Sequence, residues 1–105
     1  MAVAQAILTD LRHRLTEHYG PRLDRLILFG SQARGDAEEQ SDVDVLVVLN
    51  GEVQPGEEIR HTGGIVAELS LSNDLVISCA FVSSQRFMAE KSLFNLNVRR
   101  EGIAL

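Results

Sequence analysis

From Leu28 to Val48 the chain reads LFGSQARGDAEEQSDVDVLVV, the end of one apolar run, about a dozen polar residues, and the opening of another. Leu23–Phe29 (LDRLILF) predicts a short strand that stops abruptly at Gly30. Asp42–Leu49 (DVDVLVVL), rich in valine, predicts a second and buried strand. The connection is far longer than a tight hairpin needs, which marks it as the place for a site. In a strand, residues i and i+2 share a face, so Asp42 and Asp44 aim together while Val43 and Val45 aim away. Two adjacent carboxylates repel each other, and a divalent cation between them relieves that. Hard oxygen ligands suit Mg²⁺ or Mn²⁺, and Mg²⁺ is commonly held by one or two carboxylates plus substrate phosphates. Gly30 lets the backbone approach a ligand, Ser31 offers an N–H and a hydroxyl, and Arg34 can make paired hydrogen bonds to phosphate. Metal ligands and phosphate donors at neighbouring strand ends describe a site for a metal-bound nucleoside triphosphate.

Outward from this stretch, Val3, Ile7, Leu11 and Leu15 recur every four residues and predict a helix, with Gly20-Pro21 as its stop. Asn50–Gly56 reads as a connection, and Glu57–Leu71 as a helix facing inward through Ile59, Thr62, Val66 and Leu69. Gly63-Gly64 weakens that helix by ~1 kcal/mol per glycine. Asp74–Val82 (DLVISCAFV) predicts a third strand. Ser83 or Ser84 caps a last helical region running through Phe87, Met88, Leu93, Phe94 and Val98, broken near Ser92 and closed by Gly102. The expected order is helix, strand, strand, helix, strand, helix.

The chain has 105 residues, which predicts one domain over residues 1–105. Apolar residues make up 45%, too many for a disordered chain. A net charge of -5 gives an acidic surface that repels phosphate backbones, so no nucleic-acid partner is expected. The single cysteine, Cys79, lies in an apolar run and reads as core, which excludes a disulfide framework. No apolar run approaches the ~20 residues of a membrane span, and no secretory signal is visible, so a cytoplasmic protein is expected. His13, His18 and His61 lack metal-ligand spacing, and neither GxxxxGK[ST] nor GxGxxG is present.

The pattern G-S-x-A-R-G followed by S-D-x-D-x-L-V resembles the minimal nucleotidyltransferases of the DNA polymerase beta superfamily. Gly30, Ser31, Ala33, Arg34, Gly35, Ser41, Asp42, Asp44, Leu46 and Val47 carry the resemblance, about a fifth of the chain. It implies an α/β (α+β) fold, a small mixed sheet flanked by helices like the polymerase beta palm. It implies Asp42 and Asp44 as catalytic metal ligands for Mg²⁺ or Mn²⁺. Gly30, Ser31, Arg34 and Ser41 would bind the nucleotide, with ATP as donor. The implied reaction is attack of a hydroxyl on the α-phosphate with release of pyrophosphate. Family members of this size commonly act as antitoxins beside a HEPN-domain partner, to which they transfer AMP.

The superfamily uses a third acid on a later strand. Asp74 is the natural candidate for this catalytic and metal-binding position, while Ser78 takes it if the strand register is shifted, and Glu68 is a further alternative. Asp74 also reads as ordinary turn chemistry in Ser-Asn-Asp, and Arg34 as a surface ion pair with Asp36, Glu38 or Glu39. Two functions follow: an enzyme that moves a nucleoside monophosphate onto a protein hydroxyl, or a catalytically degenerate nucleotide-binding module that neutralises a partner by contact. Oligomer formation is left open. A small-molecule acceptor ranks below both, because 105 residues leave no room for an acceptor-binding domain.

Overall fold

The computed structural model describes residues 5–30, 42–89, 98 and 100–105. Helix α1 (Gln5–Tyr19) buries Leu8, Leu11, Leu15 and Tyr19, a single face at three- and four-residue spacing. Val3, expected on that face, lies outside the described residues. One 3₁₀ turn, Gly20–Arg22, follows and carries Pro21 in its first positions. Strand β1 (Leu23–Phe29) has the bounds its apolar run predicts, and β2 (Val43–Leu49) begins one residue after Asp42.

Helix α2 (Pro55–Ser72) starts two residues earlier than the composition suggests, because Pro55 and Gly56 belong to its first turn and not to the connection. Proline fits there, since the first N–H groups of a helix have no intrahelical acceptor. Glu57 and Glu58 in the same turn face the positive end of the helix dipole. The expected inward face is also corrected. Ile59 is 56% exposed, while Glu58, Thr62 and Leu69 are buried and Ile65 and Val66 pack partly against the core.

A charged residue can replace Ile59 on the inward face because Glu58 has partners. Tyr19 Oη donates to its Oε1 at 2.9 Å, and Arg22 Nη2 to its Oε2 at 3.2 Å. The Arg22 guanidinium also lies 5.6 Å from the centroid of the Tyr19 ring. This network ties the end of α1 and the 3₁₀ turn before β1 to the first turn of α2. Among the described residues, no buried side-chain nitrogen or oxygen lacks a hydrogen-bond partner.

Strand β3 (Ile77–Ser83) starts three residues later than the apolar run predicts. The reason is the way α2 ends. Leu75 N donates to Ser70 O at 3.1 Å and Asp74 N to Leu71 O at 3.5 Å, with Asp74 left-handed at φ 53°. This is a Schellman closure in which Asp74 holds the position glycine usually takes, so the residue belongs to the helix stop. Helix α3 (Ser84–Ala89) begins directly after β3, as the serines suggest. Of the expected last helical region, residues 90–97 and 99, including Ser92, Leu93 and Phe94, lie outside the described residues. Gly102 N donates to Val98 O at 2.8 Å and closes that helix. A Cβ on Gly102 would collide with Ile27 and the Val98 carbonyl, so the close approach to β1 requires glycine.

A fourth strand, β4 (Ile103–Ala104), is absent from the expected order. Two residues carry no readable periodicity, and this strand exists only because β1 offers its free edge.

The sheet order is β3-β2-β1-β4, with β1 antiparallel to β2 and β4 and β2 parallel to β3. It is the mixed α/β sheet flanked by helices that was expected. One face, with Leu26, Leu28, Val43, Val45, Val47, Leu49, Ile77 and Phe81, packs under α1 and α2. The other, with Ile27, Leu46 and Val48, packs against Phe87 and Val98. Strand β2 is central and buried on both faces, which explains its unbroken valine-rich sequence. Asp44 is its one polar residue. Among the described residues, no helix is long and apolar enough to cross a membrane.

Candidate functional site

The antiparallel register pairs Phe29, the last residue of β1, with Asp44 on β2. Gly30 follows in the left-handed region at φ 75°. A Cβ at Gly30 would stand 2.6 Å from Asp44 Oδ2, so the carboxylate rests on bare glycine backbone. Glycine is needed here twice over, for its backbone angle and for the space its missing side chain leaves.

Strand alternation puts Asp42 and Asp44 on one face, since Val43 and Val45 between and beside them are fully buried on the other. Asp42 is exposed and Asp44 half-buried. Burial raises the Asp44 carboxyl above its ordinary range, and the neighbouring Asp42 charge raises it further. Both effects disfavour a bare carboxylate, and a divalent cation shared with Asp42 would offset both. The donor set of two hard oxygen ligands beside open backbone fits Mg²⁺ or Mn²⁺ bound with phosphate oxygens. Among the described residues, no group of three or more His, Cys, Asp or Glu side chains could hold a metal ion.

The other sequence-named residues are distributed as follows. Ser31, Arg34 and Ser41 lie outside the described residues. Asp74 is exposed in the turn that ends α2, ahead of β3. Glu68 lies on α2 and accepts from Arg14 Nη1 of α1 at 2.8 Å, which holds it in the helix layer. Ser78 is the residue of β3 directly in register with Asp44. The structure therefore brings together Gly30, Asp42, Asp44 and Ser78, on the sheet face turned away from α1 and α2. That Gly30 seats the Asp44 side chain is not readable from the sequence, where the two residues are joined only by an assumed strand pairing.

Away from this face, an apolar groove of about 360 Å³ runs between α2 and the edge strand β3. Ile59, Val66, Ala67, Cys79 and Phe81 line it, and Ser78, on the edge strand, borders it as well. Cys79 packs against the core as expected, and burial pushes its thiol up to about 11. His13 and His61 are exposed, paired with Glu17 at 3.2 Å and Glu57 at 3.8 Å on their own helices.

Two proteins of Methanocaldococcus jannaschii, both named as candidate protein adenylyltransferases, are similar in sequence. MJ0604 is 37% identical over 100 residues, which cover 93% of each chain. MJ0141 is 39% identical over 72 residues, 69% of this chain and 72% of its own. In fold, the chain is similar to a protein in the crystal structure of a toxin-antitoxin with AMP-PNP. There the TM-score is 0.62 at 17% identity, over 90% of this chain and 68% of the other. A model of the family described as the nucleotidyltransferase domain matches residues 8–94, which span β1, the Gly30 turn, the Asp42–Asp44 pair and β3. With most of its length matched, the chain belongs to the nucleotidyltransferase domain family.

Proposed function

We propose that this nucleotidyltransferase moves a nucleoside monophosphate, AMP from ATP, onto a hydroxyl of a partner protein, and that the partner is a HEPN-type toxin held in check by the modification. The observation that carries the reading is the Asp42–Asp44 pair on one face at the start of β2, with Asp44 seated against the left-handed Gly30 that follows β1. The names of the Methanocaldococcus jannaschii relatives support a protein acceptor and an adenylyl donor. The likeness to a chain from a toxin-antitoxin structure supports a toxin as the partner.

Asp42 and Asp44 would hold the divalent cation, which when bound neutralises charge developing on the α-phosphate and the departing pyrophosphate. Gly30 and Ser31 would receive the triphosphate, Gly30 by its open backbone and Ser31 by its N–H and hydroxyl. Arg34 and Ser41 would add hydrogen bonds to phosphate oxygens and to the strand start. A bond forms between the acceptor oxygen and the α-phosphorus as the bond to the pyrophosphate oxygen breaks, and the acceptor hydroxyl gives up its proton to solvent. Asp44, held above its ordinary ionisation range, keeps its charge most readily when the cation is present.

The test is incubation of the chain with ATP labelled at the α-phosphate, Mg²⁺ and the protein encoded beside it. Label is expected on the partner, and it disappears with Asp42→Asn or Asp44→Asn. An unlabelled partner, under conditions where ATP demonstrably binds, refutes transfer.

A second reading is favoured by one observation, that the β3 residue in register with Asp44 is Ser78 and not an acid. On this reading the chain binds nucleotide and neutralises its partner by contact. The double variant Asp42→Asn with Asp44→Asn separates the two: neutralisation survives it under contact and fails under catalysis.

A further inference from the structure

We infer that the site holds one divalent cation and not two, and that Ser78 is the residue that sets the number. The inference rests on the reading of Asp42 and Asp44 as ligands of a metal-bound nucleoside triphosphate.

Strands β2 and β3 are parallel, pairing Val43 with Ile77 and Asp44 with Ser78. Val43 and Ile77 are both buried beneath α1 and α2, so Asp44 and Ser78 must point to the opposite face. There they stand side by side on strands ~4.8 Å apart. The neighbours of Ser78 on that face are Val76, 54% exposed, and Ala80, which packs under Phe87 and Val98. From Val76 into β3, then, the surface flanking the two aspartates is valine, serine and alanine. The two acids closest in sequence are occupied elsewhere. Asp74 is the left-handed residue of the helix stop, and Glu68 is bonded to Arg14 between α1 and α2.

Charge then decides the count. Two carboxylates balance one divalent cation, and the triphosphate supplies its remaining oxygens. A second cation in a paired-metal arrangement would sit ~3.5–4 Å from the first, with four times the repulsion of two unit charges. Sustaining it takes another anionic ligand on the side of Asp44 facing β3. Ser78 offers a neutral hydroxyl in that place. An aspartate there would supply the missing charge from the same strand position, with a short side chain on the same exposed face.

The experiment counts bound Mn²⁺ from the loss of the free-ion resonance signal, with AMP-PNP saturating and the Asp42→Asn/Asp44→Asn chain as the background. The expected counts are one per chain for the wild type and for Ser78→Ala, and two for Ser78→Asp. A count of two in the wild type overturns the inference and leaves the proposed function standing. A folded Ser78→Asp chain that still binds one overturns the role of Ser78. If that variant does not fold, Ser78→Glu carries the same comparison, and the wild-type count needs no variant. A count of zero with AMP-PNP bound, or no AMP-PNP bound at all, overturns the proposed function itself.

Discussion

Gly30→Ala puts the seat of the Asp44 carboxylate to a quantitative test. Three glycines of the described chain have positive φ: Gly20 at 55°, Gly30 at 75° and Gly51 at 84°. A Cβ at Gly51 would meet nothing within 4 Å, whereas one at Gly30 would stand 2.6 Å from Asp44 Oδ2. Both alanine variants carry the backbone penalty of the left-handed region, ~1–2 kcal/mol. Gly30→Ala adds a further cost at the low end of the overpacking range, ~1 kcal/mol, because only Oδ2 at the tip of the Asp44 side chain must retreat, by roughly 0.8 Å, to reach ordinary contact. At ~4–8 °C per kcal/mol for a domain of this size, Gly51→Ala should lower Tm by about 5–15 °C and Gly30→Ala by clearly more. The added loss has a specific origin, so it should vanish when Asp44→Ala removes the obstructing oxygen. A double-mutant cycle should then give a coupling of ~1 kcal/mol or more between positions 30 and 44. With Asp44 holding the cation as proposed, its displacement by this distance should also weaken binding of AMP-PNP with Mn²⁺ about tenfold, read by calorimetry, and Gly51→Ala should not. Equal stability losses for the two glycine variants, unchanged Mn²⁺-dependent binding in both, and no coupling to Asp44 would together refute the packing described for this site.

Two further perturbations address the scaffold. Glu58→Ala strips the Tyr19 hydroxyl and the Arg22 guanidinium of a buried partner and should cost ~2–3 kcal/mol by urea denaturation. Glu58→Gln, which keeps an acceptor for Tyr19, should cost less. For Cys79, burial raises the thiol from its ordinary 9.0 to about 11. Above the unfolded value the unfolded chain loses a proton that the native chain keeps, so stability falls as pH rises from 9 to about 11. Cys79→Ala should flatten denaturation midpoints between pH 9 and 10 and make the fall shallower above 10. The remaining fall, from pH 10 upward, would come from Tyr19, whose hydroxyl is also raised above its ordinary 10.0 by burial and by its bond to Glu58. A slope unchanged by Cys79→Ala would show that the thiol is not shielded.

The same contrast between local and distant causes governs how much could be read in advance. Strand β1 matches its expected bounds residue for residue, because LDRLILF lies between Gly20-Pro21-Arg22 and Gly30 and its limits are local. Helix α2 was legible as a helix but not in its orientation. Its period admits either Ile59 or Glu58 on the buried face, and the choice fell to Tyr19 and Arg22, some forty residues upstream. Strand β4 was not legible, since two residues become a strand only by pairing with Ile27 and Leu28. Asp74 reads equally well as the first residue of an apolar strand and as a turn residue. Its positive φ and the two hydrogen bonds back into α2 belong to the turn.

For the site, sequence by itself determined that Asp42 and Asp44 share a face and that Gly30 interrupts a strand. These follow from strand alternation and from glycine's backbone freedom, and need no partner. It also carried enough of a family pattern to indicate nucleotidyl transfer. Only the tertiary structure decided that the Asp44 carboxylate rests on Gly30, and that Ser78 stands beside it on β3. The reason is that register between strands is a non-local quantity. A shift of one residue between β2 and β3 would exchange Ser78 for Ile77 or Cys79, and only the joint burial of Val43, Val45, Ile77 and Phe81 under α1 and α2 selects one alignment.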